Sequence, residues 1–332
     1  MPNNKSKNKS LWITWETQRR NKELAKAFDC ELKQFDYSCL NRLKRYIKST
    51  SKTFQTIWTY KNKDLKVYAQ CPSAILCLFL TFLKPIFKFV LIIDCHNAIF
   101  NYLNHNGPFI RLITIFFLKR ADLLIVTNEY FKESVPTTQS KILVLPDKLP
   151  AIDFQNETPK TFSSEKQNVV FISSFSNDEP IYEFLKAAKE LTNFARFFIT
   201  GKKSKADSLL LSFESNDIVF TDYLSEKNYE SLITHADVNI DLTTQSDLLV
   251  CGAYESLSAG VPCILSDTKI QREIFPEGYL YTFCDSESLK ETILESFQLK
   301  NRLREEIDEF KSEFVNNWEI SFKNCRQTIE NL

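Results

Sequence analysis

The 332-residue sequence is poor in glycine and histidine, and each shortage excludes a class of site. With only five glycines, it cannot contain the G-x-G-x-x-G loop that binds dinucleotide phosphates. Its three histidines do not combine with cysteines or carboxylates at the spacing of a metal site. Lysine plus arginine and aspartate plus glutamate both total 42, so a formal net charge of zero gives no general attraction for nucleic acid. We therefore expect neither a metal cofactor nor a nucleic-acid partner.

The sequence also lacks patterned cysteines and long apolar runs. Its nine cysteines are scattered without a C-x-x-C pair, and residues 1–10 lack the apolar stretch of a secretory signal, which together favour a cytoplasmic location. The run closest to a membrane span, residues 74–94, is interrupted by Lys84, Pro85 and Lys88. We expect it to form a helix ending near residue 83 and a strand, both too short to cross a bilayer.

Short apolar runs alternate with helical segments through the chain, which predicts a doubly wound α/β fold. The predicted strands lie at residues 11–14, 65–69, 89–93, 123–126, 141–145, 168–172, 194–200, 218–221, 238–242, 263–265 and 279–283. Residues 146–164 are polar, contain three prolines and show no hydrophobic period. We interpret them as a linker, which predicts two Rossmann-like domains, residues 1–148 and 149–332.

The most informative stretch, residues 237–267, is predicted to form a strand, a loop, a helix and a strand. The helix, at about 250–259, would point backbone N–H groups towards the carboxyl end of the sheet, where a phosphate can bind. Gly252 in its first turn would let a ligand approach closely. Glu255 could reach a ribose diol, and Asp247 in the preceding loop could meet a sugar hydroxyl. The alternative is an ordinary helix with two solvated acids.

Asp247, seven intervening residues, Glu255 and then Ala259-Gly260-Val261-Pro262 resemble the acidic motif of nucleotide-sugar glycosyltransferases with the GT-B fold, the group 1-like transferases of bacterial and archaeal surface glycans. That motif usually has two glutamates, followed by A-x-G-x-P, and Asp247 is one methylene shorter. The fragments WITWE and DEP, which occur in the same order, support the resemblance.

The resemblance implies two facing Rossmann-like domains with a cleft between them. It implies that the second domain binds a nucleoside-diphosphate sugar and that the first binds the acceptor, without a metal. In that superfamily the second acid holds the donor ribose and the first lies beside the donor sugar, roles that would fall to Glu255 and Asp247.

Further donor-binding candidates follow the predicted strands of the second domain. Ser173 and Ser174 come after its first strand and would let a phosphate approach, although serines also form ordinary turns. Lys202 could neutralise the diphosphate, or it could lie in a solvated turn. Tyr223 follows another strand, in a loop that lines the base pocket of the resembling family; a packed surface aromatic is the alternative. Cys251 begins the helix whose N-terminus would stabilise the leaving group.

In the first domain, Glu16 follows the first strand and could act as a general base on the acceptor. Arg19 and Arg20, one turn later, could bind phosphate or keep Glu16 ionised; a local charge pair is the alternative. Asp94 follows a strongly apolar strand and is a second candidate base. It could also orient His96, which could meet the donor phosphate or sugar.

The resemblance, together with these candidate residues, implies an enzyme that transfers a hexose from a nucleoside-diphosphate sugar to a glycan or lipid-linked glycan in surface polysaccharide synthesis. Retention and inversion of the anomeric centre both remain open. The alternatives are a GT-B nucleotide-sugar epimerase and a non-catalytic nucleotide-sugar-binding partner. Apolar helices predicted at 73–83 and 108–119 could also contact the inner face of the cell membrane, unless they are core helices. They are flanked by the basic residues Lys84, Lys88, Lys119 and Arg120.

Overall fold

The computed structural model describes residues 9–61, 64–71, 73–96, 98–104, 107–136, 140–153 and 157–332. They form two compact units: residues up to Lys148 together with Asn317–Leu332, and Leu149–Asn316. The prediction placed all of residues 149–332 in the second domain. The end of the chain instead packs on the first unit, because the apolar side chains of Trp318, Cys325 and Ile329 share one helix face that is buried in the first unit's core.

Within the described residues, the first unit contains a parallel sheet of six strands with helices around it. The strands are β1 (Lys9–Thr14), β2 (Glu31–Gln34), β3 (Leu65–Cys71), β4 (Val90–Cys95), β5 (Leu123–Val126) and β6 (Lys141–Val144). The helices are α1 (Arg19–Ala27), α2 (Arg42–Thr59), α3 (Ala74–Phe87), α4 (Ala98–Asn104), α5 (Pro108–Arg120) and α6 (Glu129–Ser134). The strand order is β2-β1-β3-β4-β5-β6.

The second unit, as far as the structure describes it, contains another parallel sheet of six strands. These are β7 (Gln167–Phe171), β8 (Ala195–Ile199), β9 (Ile218–Phe220), β10 (Val238–Asp241), β11 (Cys263–Ser266) and β12 (Tyr279–Thr282). The helices are α7 (Ile181–Glu190), α8 (Ser208–Leu211), α9 (Glu226–His235), α10 (Cys251–Ala259), α11 (Lys269–Ile274), α12 (Ser286–Gln298) and α13 (Lys300–Glu330), with a 3-10 helix at Lys203–Lys205. The strand order is β12-β11-β10-β7-β8-β9.

Both sheets contain strands that are buried on their two faces. Every residue of β5 and β10 is buried, as are Val169, Val170 and Phe171 of β7. Parallel sheets covered by helices on both sides require such continuous apolar runs. The predicted doubly wound α/β fold is therefore confirmed.

Each sheet has one point at which the order of strand addition reverses. It lies between β1 and β3 in the first unit and between β7 and β10 in the second. The loops after these two strands leave in opposite directions, so a crevice opens at their carboxyl ends, where α/β proteins bind ligands. Glu16 follows β1, while Ser173 and Ser174 follow β7.

The structure corrects the prediction for the apolar segment at residues 74–94. Helix α3 does not end near residue 83 but continues through Pro85 to Phe87. It ends at Lys88, whose φ of 53° is left-handed and whose N–H donates to the carbonyl of Lys84 at 2.8 Å. A proline in the last turn removes one backbone hydrogen bond without breaking the turns before it. Among the described residues, no helix combines the length and the hydropathy that crossing a bilayer requires.

Candidate active site

Helix α10 places Glu255 one turn after its first residue, Cys251. The Glu255 carboxylate is half-buried, and its Oε2 accepts a short hydrogen bond from the hydroxyl of Tyr229 on α9. Burial raises the pKa of Tyr229 well above its usual value, and the nearby Glu255 carboxylate raises it further. The phenol therefore stays protonated and fixes the direction of Glu255. The helix ends at Gly260 with a φ of 67°, the left-handed conformation predicted for this glycine.

A pocket of about 430 Å³ lies beside Tyr229, within the second unit. Tyr223 forms part of its wall and leaves 76% of its surface exposed, so the ring can stack on a flat ligand. Lys202 is exposed, and its ammonium lies 5.6 Å from the centre of that ring. The pocket is further lined by Ile172, Ser173, Thr200, Gly201, Asp222, Leu224 and Glu226. Its volume is in the range of small-molecule sites.

Gly252 has a packing role that differs from the one predicted. Its N–H donates to Oδ2 of Asp241, at the end of β10, over 2.7 Å. A Cβ at this position would lie 2.5 Å from that oxygen and 2.7 Å from Cδ1 of Ile172. Glycine is thus required by the close approach of α10 to the sheet, and its N–H is already engaged. Burial raises the pKa of Asp241 well above its usual value, although the Gly252 N–H opposes this.

The serines after β7 bind a carboxylate of their own chain. The hydroxyl of Ser173 donates to Oε2 of Glu179 at 2.6 Å, and the hydroxyl of Ser174 donates to Oε1 at 2.8 Å. The backbone N–H of Ser174 also donates to Oε1, at 2.9 Å. Ser173 lines the pocket, but its hydroxyl is already engaged there.

Asp247 and Cys251 flank the start of α10. Asp247 lies half-buried in a turn of the loop after β10, and Cys251 is exposed as the first helical residue. Val250 precedes the helix, and its side chain has no acceptor with which to cap the first-turn N–H groups. A ligand oxygen at this end would meet the positive end of the helix dipole.

In the first unit, Arg20 forms a buried ion cluster instead of binding Glu16. Its guanidinium donates to Asp94 over 2.7 and 3.0 Å and to Asp147 over 2.6 Å. Burial alone would lower the pKa of Arg20, but the two carboxylates outweigh it and raise the pKa. Arg19 pairs with Glu23 of the same helix at 3.0 Å. The predicted support of Glu16 by these arginines is therefore wrong.

Asp94 and His96, which were predicted to act as a pair, both lie near the Arg20 cluster. Asp94 lies within β4, is fully buried and directs both carboxylate oxygens at Arg20. His96 is half-buried, and its backbone N–H donates to the carbonyl of Cys71 at 3.0 Å. Burial would raise the pKa of Asp147, but Arg20 and then His96 outweigh it and lower that pKa. The catalytic roles of Asp94 and His96 stay predictions.

Glu16 lies half-buried after β1, next to a network of uncharged amides. The Gln18 amide donates to Oε2 of Glu16 at 3.4 Å and accepts from the Gln70 amide at 2.6 Å. Gln70 in turn accepts from Asn21 at 2.6 Å. Arg45 of α2 lies 3.6 Å from Oε1 of Glu16. The Glu16 carboxylate therefore lies after β1, as predicted, at the point where the strand order of the sheet reverses.

A comparison with known protein families agrees with the arrangement of the pocket and Glu255. Residues 153–313, which include the pocket and Glu255, match the model of the family Glycosyl transferases group 1. Over these residues the chain is similar to the group 1 glycosyltransferases, the family that the run from Asp247 to Pro262 resembles. The predicted enzyme class is confirmed, and the reaction is transfer from a nucleoside-diphosphate sugar. No curated protein sequence matches this chain.

Solved structures share the fold of this glycosyltransferase at low sequence identity. Sucrose-phosphate synthase from Thermosynechococcus elongatus is 12% identical, with a TM-score of 0.73 over 97% of this chain and 98% of that one. Anabaena Alr3699/HepE in complex with UDP-glucose is 12% identical, with a TM-score of 0.74 over 97% and 100%. A structure assigned as a UDP-N-acetylglucosamine 2-epimerase from Listeria monocytogenes is 12% identical, with a TM-score of 0.61 over 90% of each chain. These likenesses confirm the GT-B fold.

Several residues of the candidate site were missed by the sequence analysis. Tyr229, Asp241 and Glu179 each bind a group that was predicted to contact the donor. Asp241 carries a signal in the sequence, since an acid at the end of a buried strand needs a nearby donor. Among the described residues, no set of three or more histidine, cysteine or acidic side chains could hold a metal ion.

Proposed function

We propose that the second unit binds a uridine diphosphate sugar in the 430 Å³ pocket and at the start of α10. The observation that carries the proposal is the position of Glu255, which is one turn into α10 and fixed by Tyr229, itself a wall of the pocket. A carboxylate held in this way can accept hydrogen bonds from both hydroxyls of a ribose. The similarity to Alr3699/HepE, which binds UDP-glucose, supports uridine as the base.

The other groups of the donor find matching chemistry around Glu255. The base would stack on the exposed ring of Tyr223, and the diphosphate would lie at the N-terminus of α10 near Cys251. Lys202 adds a positive charge on the Tyr223 side. Asp247 would accept from a hydroxyl of the donor sugar. The helix dipole and the lysine would both stabilise the charge that develops on the leaving diphosphate.

The test is the affinity for uridine diphosphate, measured by calorimetry on wild type and on Glu255→Gln. Glutamine can still accept from Tyr229 but loses the charge, and we expect affinity to fall roughly tenfold to a hundredfold because hydrogen bonds to charged groups contribute ~1.5–3 kcal/mol. Glu291→Gln, at an exposed position on α12, is the control. Equal affinities for wild type and Glu255→Gln would remove Glu255 from the site.

We propose further that the first unit binds a glycan or lipid-linked glycan acceptor, with Glu16 contacting the acceptor hydroxyl. Glu16 has uncharged amide neighbours and one long ion pair, whereas Asp94 has both oxygens engaged by buried Arg20. Glu16 is therefore better suited to accept a hydrogen bond from an incoming hydroxyl. Glu16→Gln should lower transfer to acceptor while leaving the affinity for uridine diphosphate unchanged.

The alternative of a nucleotide-sugar epimerase is supported by the similarity to the structure assigned as such an enzyme. The two activities differ in their need for an acceptor. An epimerase would change the sugar of the nucleotide when no acceptor is present, whereas a transferase would release it only by slow hydrolysis. Anomeric and ring-proton NMR of the donor after incubation without acceptor separates them.

A contact with the membrane is supported by helices α2, α3 and α5 of the first unit. None of the three contains an acidic residue, while α2 has five basic residues, α3 one and α5 three. The helices meet through aromatic contacts of Phe54 with Phe87 and of Phe82 with Phe116. Their exposed apolar side chains are Leu43, Ile47, Phe54, Trp58, Ile75, Phe82, Ile86, Phe109, Ile110 and Leu112. Exposed apolar side chains on helices whose only charged residues are basic suit the surface of an anionic bilayer.

This surface predicts that the protein sediments with vesicles of phosphatidylglycerol and less with vesicles of phosphatidylcholine, and that salt weakens the binding. Ile47→Ser combined with Phe109→Ser should reduce sedimentation. Leu209→Ser, at an apolar side chain 55% exposed in the second unit, is the control. Equal sedimentation with and without vesicles would exclude the contact.

A further inference from the structure

Asp178 and Glu179 form a pair of neighbouring carboxylates, here called the carboxylate clip, just before α7. One carboxylate binds the loop after β7, and the other binds the loop after β10. These are the two strands between which the order of the second sheet reverses. The clip therefore contacts both loops that lead to the donor pocket and to α10.

Glu179 fills a nest of hydrogen-bond donors in the first loop. Its carboxylate accepts from the hydroxyls of Ser173 and Ser174 and from two successive backbone N–H groups, those of Ser174 at 2.9 Å and Phe175 at 3.1 Å. Phe175 has a φ of 58°, which is unfavourable for a residue with a side chain. Successive N–H groups in such a conformation form an anion-binding concavity, and here the anion is the protein's own.

Asp178 holds the second loop through its side chain and its backbone. The hydroxyl of Thr243 donates to Oδ2 of Asp178 at 2.8 Å, and the N–H of Thr244 donates to its carbonyl at 2.8 Å. Ser176 forms a further short bond with Oδ1. Burial would raise the pKa of Asp178, but the Ser176 and Thr243 hydroxyls outweigh it and lower that pKa. The carboxylate is therefore charged at neutral pH and remains a good acceptor.

We propose that Asp178 and Glu179 are positioning residues for the donor, holding the Ser173 loop and the Thr243 loop in fixed relation to each other. Ser173 lines the pocket, and the Thr243 loop continues to Asp247 and α10. Because Glu179 already occupies the nest, the donor diphosphate is left to the N-terminus of α10. This inference rests on the proposed donor site of the second unit.

The test compares the transferase kinetics of Glu179→Ala with those of wild type, using UDP-glucose as the probe donor. We expect the donor KM to rise about tenfold with kcat changed less than about threefold, because the lost contacts order the free site and do not touch the reacting atoms. Formate should enter the emptied nest and restore KM. In Glu179→Gln, the larger side chain fills the nest, so formate should have no effect.

Glu183→Ala, one turn into α7 where the carboxylate pairs with Lys186 at 3.0 Å, is the matched control and should keep the wild-type KM. Asp178→Asn and Thr243→Val act on the second loop and should raise KM by a smaller factor, which keeps the test usable if Glu179→Ala does not fold. An unchanged or lower donor KM in Glu179→Ala would contradict the proposed positioning role of the carboxylate clip. If wild type itself neither binds nor uses a uridine diphosphate sugar, the proposed donor fails instead.

Discussion

At the edge of the first sheet where ligands are expected, a buried arginine holds two carboxylates, whereas at the same edge of the second sheet carboxylates bind hydroxyls and backbone N–H groups. Asp94 and Asp147 both pair with Arg20. Asp241, Asp178 and Glu179 instead accept from glycine, threonine and serine. Both sheets are parallel and have six strands in the described residues, so the difference lies in the chemistry at the strand ends.

The two arrangements differ in how easily a ligand could replace one of the partners. Removing one partner of a buried ion pair leaves an uncompensated charge and costs about 3–5 kcal/mol. A hydrogen bond from a hydroxyl or amide to a charged group contributes ~1.5–3 kcal/mol and can be replaced by one from a ligand. We therefore expect the first unit to be rigid around Arg20 and the second to be able to adapt around its donor pocket.

The comparison can be measured because the four tryptophans, Trp12, Trp15, Trp58 and Trp318, all belong to the first unit. Tryptophan fluorescence thus follows the unfolding of the first unit, while far-UV circular dichroism follows both. A substitution that acts on one unit should move the two signals differently if the units unfold separately.

The largest effect is expected for Arg20→Ala. This change leaves Asp94 buried without its cation, so the free energy of unfolding should fall by about 3–5 kcal/mol. Urea denaturation followed by tryptophan fluorescence provides the measurement. The neighbouring Arg19→Ala is the control, since the Arg19 side chain is 42% exposed and a surface pair contributes ~0–1 kcal/mol. Similar losses in the two variants would show that the buried cluster is not what holds this edge of the sheet.

A smaller effect is expected in the second unit for Gly252→Ala. The new Cβ would lie 2.5 Å from Oδ2 of Asp241 and 2.7 Å from Cδ1 of Ile172, so the helix must shift away from the strand. Such overpacking costs typically ~1–3 kcal/mol. The loss should be seen by circular dichroism, with a smaller change in tryptophan fluorescence.

Gly107→Ala is the matched control for Gly252→Ala. A Cβ at Gly107 would have no described atom within 4 Å, and the φ of −56° suits alanine. We expect its unfolding free energy to stay within ~0.5 kcal/mol of wild type. Should Gly252→Ala prove equally harmless, α10 can move away from β10 without cost and the packing explanation of this glycine is wrong.

The elements that the sequence predicts well are those with a strong local pattern. The strands of both cores were predicted because strands buried on both faces must be continuous apolar runs, as in β5. Strand β2, with the sequence ELKQ, was missed because its side chains are half-exposed or exposed and have no apolar alternation. The position of Glu255 one turn into α10 and that of Gly260 at its end were predicted because both follow from the spacing of the helix.

The partners of the site residues could not be predicted in the same way. Arg20 binds carboxylates that lie 74 and 127 residues away in the sequence, which only the strand order brings together. The prediction therefore considered for Arg20 only a phosphate, its neighbour Glu16 or a local charge pair. Glu179 likewise belongs to a fragment that supported the family resemblance, but its role depends on the left-handed conformation of Phe175, which nothing in the sequence indicates.

The smallest effect is expected for Asp147→Asn and depends on pH. Asparagine keeps an oxygen for Arg20, and Asp94 still balances the charge of Arg20, so the free energy of unfolding at neutral pH should fall by about 1 kcal/mol.

The pH dependence follows from the pKa of Asp147, which Arg20 and His96 lower in the folded protein. A lowered folded pKa stabilises the fold at pH values above the unfolded pKa of about 3.9, and this contribution disappears as the pH falls through the folded value. The difference between wild type and Asp147→Asn, from urea denaturation followed by tryptophan fluorescence, should therefore shrink below about pH 4. A difference that stays constant down to about pH 3 would mean that the charge of Asp147 contributes nothing and that Asp94 alone holds Arg20 in place.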